Sequence, residues 1–257
     1  MSLVVRSLRT HWLLPIALVF WVLPSLASAA GITGLSIQAG IVDNPAAQMT
    51  ITDAMIQGRI DAEELALTNN PDGTITLSGN TTFAMGAWSL DISEITFDPD
   101  PIVSIVGGLT NLSGVNQDFF VQTSIPIVPV APSSLIGGST VLSYVDANLN
   151  GGGMTNVTGG ASGFAGLIDG IEVLTLLDTF NLVPITDSAS ETLGLPGPTI
   201  PGPAGNVSIG VLNRFNLSPG DQATYNSIFQ VEIVPEPGTA ALLGLGLVAM
   251  SWVRRKA

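Results

Sequence analysis

The stretch AWSLDISEITF, residues 87–97, sets Trp88, Leu90 and Ile92 on one side of an extended chain. That period of two marks a half-buried strand, because successive side chains of a strand point to opposite faces. At Ser93–Glu94 the apolar set shifts to Ile95 and Phe97, which predicts a bulge. The same alternation recurs on both sides of this stretch. LSIQAGI (35–41) places Leu35, Ile37, Ala39 and Ile41 on one face, and MTITDAMI (49–56) and a less regular polar segment, IDAEELALTNN (60–70), follow. The turn signal NPDG (70–73) leads into TITLSGNTTF (74–83), where Ile75 and Leu77 alternate with threonines.

Downstream, PIVSIVGGL (101–109) and DFFVQTSI (118–125) read as strands joined by NLSGVNQ, a hairpin-like polar loop. IPIVPVAP carries Pro126, Pro129 and Pro132, which cannot donate to a sheet ladder, so it reads as an edge strand or a polyproline stretch. VLSYV (141–145) and the turn DANLNGGG (146–153) precede GFAGLIDGIEVLTLL (163–177). There Asp169-Gly170 favours a type I′ hairpin, although a helix through Phe164, Leu167, Ile171 and Leu174 competes. GLPGPTIPGPAG (194–205) is a long connection, either a loop over the surface or a linker. The strands NVSIGVLNRFNL (206–217) and QATYNSIFQVEIV (222–234) close the series, with Phe229, Val231 and Ile233 alternating. Short strands with Gly-, Pro- and Asn-rich turns predict an all-β body over 30–233, an antiparallel β-sandwich of Ig-like or jelly-roll-like type. Leu35, Ile37, Ile75, Leu77, Trp88, Leu90, Phe229 and Val231 are expected in its core.

Composition excludes more than it selects. Between residues 30 and 234 the chain has no His, Cys or Lys, since His11 lies near the start and Lys256 near the end. Ser-His-Asp and Cys-His nucleophiles, Ser-Lys dyads, Schiff-base chemistry and histidine-bound zinc are therefore ruled out for that body. A carboxylate pair of the glycoside-hydrolase kind remains open in principle, but the expectation is a non-catalytic protein. The body keeps only Arg59 and Arg214 against 19 acidic residues. Nucleic acid is not a partner, because phosphate contacts need Lys and Arg.

The basic residues cluster at the two ends. MSLVVRSLRTHW carries Arg6 and Arg9, then comes an apolar stretch to Leu26 and the small residues of ASAAG. This is the pattern of a signal peptide over 1–29, with Ala27 and Ala29 at the signal-peptidase positions; a retained N-terminal anchor is the alternative. The chain closes on VPEPGTAALLGLGLVAMSWVRRKA (234–257), with no charge between Gly238 and Val253. As a helix, that run spans about 24 Å at ~1.5 Å per residue, short of the ~30 Å hydrocarbon core, so 238–253 reads as a marginal membrane span. Arg254, Arg255 and Lys256 form a stop-transfer cluster. A buried C-terminal helix competes poorly, since it would end in a basic cluster with no polar face behind it.

The order VPEP, apolar span, RRK resembles the PEP-CTERM sorting signal of exported Gram-negative bacterial proteins, a tail type also named after ice-binding proteins. Pro235, Glu236 and Pro237 match the triplet, and Arg254 to Lys256 match the basic end. The resemblance implies processing by an integral-membrane exosortase, passage through the inner membrane and delivery to the cell surface or the extracellular space, often alongside exopolysaccharide. FDPDPIVSIVGGLTNLSGVNQDF and FNLSPGDQATYNSIFQVEI also look like body segments of PEP-CTERM proteins. They imply a sandwich module ending in a strand directly before the tail.

The body offers one metal motif. DANLNG (146–151) matches the first half of a calcium loop, D-x-N-x-N-G, with Asp146, Asn148 and Asn150 as oxygen donors and Gly151 at the sharp turn. Position twelve falls on Val157 where a bidentate Glu should stand. A plain turn explains the same residues, so calcium is the one cofactor in view and weak binding the most expected. Asp98 and Asp100 of DPDP fit a turn better than a site. The expected function is an exported structural protein of the cell surface or exopolysaccharide matrix, whose acidic surface could hold divalent cations. The alternatives are a carbohydrate- or ice-binding module, which needs Trp88 or the TIT threonines (50–52 and 74–76) in an exposed array, and a carboxylate-dependent hydrolase, which needs two acids across a cleft.

Overall fold

Ser93 bulges out of the strand Trp88–Asp98: Ile92 pairs with Gly107 and Glu94 with Val106, leaving Ser93 between them. The bulge turns both apolar sets inward, and Trp88, Leu90, Ile92 and Ile95 are all fully buried. The structure, a computed structural model, describes residues 33–98, 101–127, 133–183 and 185–234. The expected signal peptide with Ala27 and Ala29, the span 238–253 and the tail residues Pro235, Glu236, Pro237, Arg254, Arg255 and Lys256 lie outside these, as do Asp100, Pro129 and Pro132.

Two antiparallel sheets share one core. With strands numbered in chain order, the first sheet runs Ile171–Leu176 (β11), Phe164–Ile168 (β10), Ser208–Leu217 (β15), Gln117–Pro126 (β7), Ser36–Ile41 (β1) and Gln48–Ile51 (β2). Met154–Thr155 (β9) continues along β15 and pairs with Asn181–Leu182 (β12). The second sheet runs Thr186–Leu193 (β13), Ser134–Val145 (β8), Gln222–Ile233 (β16), Ile102–Asn111 (β6), Trp88–Asp98 (β5), Ile75–Ala84 (β4) and Leu65–Asn69 (β3), with Ile200–Gly202 (β14) beside the start of β8.

The sheets interlock by size. Phe229 of β16 crosses the core onto Gly166 of β10, and Leu174 and Phe164 of the first sheet lie over Gly138 of β8. A glycine opposite a large ring lets the layers approach without a void. Phe119 and Phe215 pair within the first sheet at 6.4 Å between ring centroids. Trp88 of the second sheet donates from Nε1 to the Ala47 carbonyl at 2.8 Å, in the short 3-10 turn Pro45–Ala47 between β1 and β2. Of the expected core, only Ile75 falls short; it pairs with Phe97 near the NPDG turn, and both are half-buried there.

The Asp169-Gly170 pair forms the expected hairpin, with φ of 52° and 77° and Ile168 opposite Ile171, so the competing helix does not form. Both positions need the left-handed region, which Gly enters freely and Asp tolerates. The Asp169 carboxylate accepts N–H bonds from Asn206, Val207 and Ser208 at 2.8 to 3.2 Å, tying this turn to the start of β15. The Ser208 amide, then those of Asn206 and Val207, hold its pKa below the ordinary carboxylate value. A depressed folded-state pKa contributes stability that is present above the unfolded value of about 3.9 and lost as pH falls through the folded one. The parent protein should therefore lose more urea resistance between neutral pH and pH 3 than Asp169→Asn does. Equal losses in the two proteins would remove this role.

Four sequence expectations need correction. NLSGVNQ does not close a hairpin, because β6 lies in the second sheet and β7 in the first. Asn111 makes the crossing: its Nδ2 donates to the carbonyls of Val115 and Leu217 at 2.9 and 2.8 Å, and its Oδ1 accepts the Ser113 amide. Pro126 ends an interior strand rather than an edge strand, since β7 is paired on both sides by β1 and β15. The segment 194–205 is no linker, for it carries β14. Finally, Asp53–Asp61 is a helix, α1, where an irregular continuation of the strand pattern was expected. Only Ile56 of α1 is buried, so it shows no apolar stripe; Asp53 in the first turn and Arg59 in the last are its signals.

Candidate functional site

The loop 146–153 leaves β8 and returns to β9 on the first sheet. Asp146 is buried, and its carboxylate holds the loop in its turn: Oδ1 accepts the Asn150 amide at 3.2 Å and Oδ2 the Gly151 amide at 3.0 Å. Asn148 Oδ1 also accepts from the Asn150 amide, at 3.0 Å. Asn148 Nδ2 donates to the Pro219 carbonyl at 2.8 Å, which fastens the loop onto the turn Ser218–Asp221 between β15 and β16. Val157, at position twelve of the motif, is buried and offers no oxygen from its side chain.

Asp221, which the sequence reading did not single out, lies against this loop and is fully buried. Its Oδ2 accepts from Tyr144 Oη at 2.9 Å and from Ser218 Oγ, and Ser218 Oγ accepts the Gly153 amide at 2.8 Å. Burial, then the hydrogen bond to Asp221, pushes the Tyr144 phenol up to about 12, so it remains a donor at ordinary pH. Asp221 Oδ1 has no hydrogen-bond partner among the described residues. Its signal in the sequence was faint: S-P-G-D reads as a turn, and turns recruit Asp for local reasons. Among the described residues there is no cluster of three or more His, Cys, Asp or Glu able to hold a metal ion.

A second feature lies on the outer face of the second sheet, a depression of about 460 Å³ bordered by Asn80, Thr82, Asp91, Ser93 and Asn226. At Gly107 the Tyr225 hydroxyl takes the space of a side chain, lying 2.7 Å from where a Cβ would stand, and it has no partner among the described residues. Burial first, and the Asp91 charge second, push the Tyr225 phenol up. The exposed arrays that sugar or ice binding requires are not formed by the expected residues. Trp88 is fully buried. The two TIT triplets fall in different sheets, and Thr74 and Thr76 both accept from Asn70 Nδ2.

Fold and tail together define an all-β protein that carries a C-terminal sorting signal. That signal is the PEP-CTERM protein-sorting motif, matched over residues 234–256. No curated protein matches the chain. Among solved structures, a chain from infectious bursal disease virus (strain Gx) aligns at 16% identity over 80% of this chain, with a TM-score of 0.16. This chain spans 63% of that chain's length, and at such a score the likeness carries no argument. Among the described residues no helix is long and apolar enough to cross a membrane.

Proposed function

We propose that this is a non-catalytic structural protein of the cell surface or exopolysaccharide matrix, its body a β-sandwich of Ig-like or jelly-roll-like type. Signal peptidase releases it after Ala29, a span over 238–253 holds it in the inner membrane, and an exosortase processes the tail before the body reaches the outside. The observation that carries this reading is the sorting motif at residues 234–256, which implies exosortase-directed export. A body without His, Cys or Lys, and with 19 acidic residues, supports a soluble, non-catalytic role outside the cell. A carbohydrate-binding module is the second reading. It draws on the depression beside Asn80, Thr82 and Asp91, whose amides and hydroxyls suit sugar hydroxyls.

The tail provides the test. Pro235 and Pro237 disfavour helix before them and withhold two backbone donors, and Glu236 is the single charge in that linker. In a host that contains an exosortase, Glu236→Ala or deletion of Arg254 to Lys256 should leave precursor in the inner membrane, while the parent appears outside with a mass beginning at Ala30. If both variants reach the outside with the parent's mature mass, the sorting reading fails.

A further inference from the structure

We propose that the loop 146–153 and the turn Ser218–Asp221 together bind a calcium ion, with Asp221 supplying the carboxylate that Val157 cannot. Strands β8 and β16 pair Tyr144 with Ala223 and Val145 with Gln222. Carried one residue further, that register sets Asp146 opposite Asp221, on the inward face already occupied by Tyr144 and Ala223. Asp146 is 5% exposed and Asp221 0%. Two carboxylates buried in opposed cross-strand positions would be stabilised together by a cation placed between them.

The body has no side chain to serve as that cation. Its two basic residues are both engaged elsewhere: Arg59 bonds Glu64 at 2.8 Å, and Arg214 grips both oxygens of Glu172 at 2.7 and 3.0 Å. Two hydroxyls converge on Asp221 Oδ2, while Oδ1 is buried and has no hydrogen-bond partner among the described residues. A buried oxygen left unpaired in this way is costly.

The backbone of each segment meets side chains of the other. A Cβ on Gly152 would lie 2.4 Å from Asp221 Oδ2, and one on Gly220 would lie 2.1 Å from Asn148 Nδ2. The Asp221 carboxylate thus packs against the same loop that carries Asp146, Asn148 and Asn150. The donors are carboxylate and amide oxygens, with no imidazole or thiolate. That set selects a hard cation, and all-protein oxygen ligands are more usual for calcium than for magnesium, which keeps several of its waters.

The test uses the full chain, stripped with chelator and kept in detergent. Calcium calorimetry should give a Kd on the order of 10⁻⁴ M, the range of extracellular modules. Asp221→Asn and Asp146→Asn should each weaken binding at least tenfold, whereas Asp72→Asn, in an exposed turn, should leave it unchanged. Terbium should luminesce on tyrosine excitation, and calcium should quench that signal. Tyr144→Phe should dim the emission while leaving calcium affinity within a few-fold of the parent. Absence of heat on titration to about 5 mM calcium, together with absence of terbium emission from the calcium-free parent, overturns the site and needs no variant to fold. Equal weakening by Asp72→Asn would reduce the effect to general attraction by an acidic surface, and overturns it too.

Discussion

Replacing Trp88 with alanine should lower the stability of the body by about 3–5 kcal/mol, the usual cost of deleting a large buried aromatic side chain. Trp88 is fully buried and belongs to β5, and its Nε1 reaches the Ala47 carbonyl on the far side of the core. The alanine variant thus loses apolar packing in one sheet and a hydrogen bond to the other. Trp88→Phe separates the two contributions. It keeps most of the ring but leaves the Ala47 carbonyl without this donor, and should cost about 1–3 kcal/mol. Urea unfolding followed by circular dichroism reads both. An unchanged midpoint for Trp88→Ala would show that the tryptophan does not join the sheets.

The second large effect is expected at Gly166. A Cβ there would lie 2.3, 2.5 and 2.9 Å from three atoms of the Phe229 ring, closer than real contacts allow. Gly166→Val should therefore force the sheets apart or the ring out of its rotamer, at a cost of about 1–3 kcal/mol. Gly166→Ala should be milder, and its penalty should nearly vanish in a Phe229→Leu background, because the two residues share one space. Penalties that simply add would show that Phe229 does not lie over Gly166.

The sequence disclosed what is encoded locally. Alternation within one strand places Trp88, Leu90 and Ile92 on one face, and a single phase slip marks the bulge at Ser93. Asp169-Gly170 announces its turn because two positive φ angles are a local demand. The sorting tail is a linear signal and was readable in full. Choices between distant partners were not legible. Whether NLSGVNQ closes a hairpin or carries the chain across the core depends on β16 and β15 flanking β6 and β7, and those strands come far later in the chain. Asp146 was visible through its motif, but Asp221 becomes its neighbour only when β16 pairs with β8. α1 was missed because its sequence has no apolar stripe, only weak charge signals at its ends.

The strand next to the sorting tail is β16, and it is interior, paired along β8 on one side and β6 on the other. A pull along that strand meets two rows of hydrogen bonds at right angles. Those bonds carry the force together, in shear, and cannot open one after another like a zip. A protein loaded along this strand would have it held from both sides.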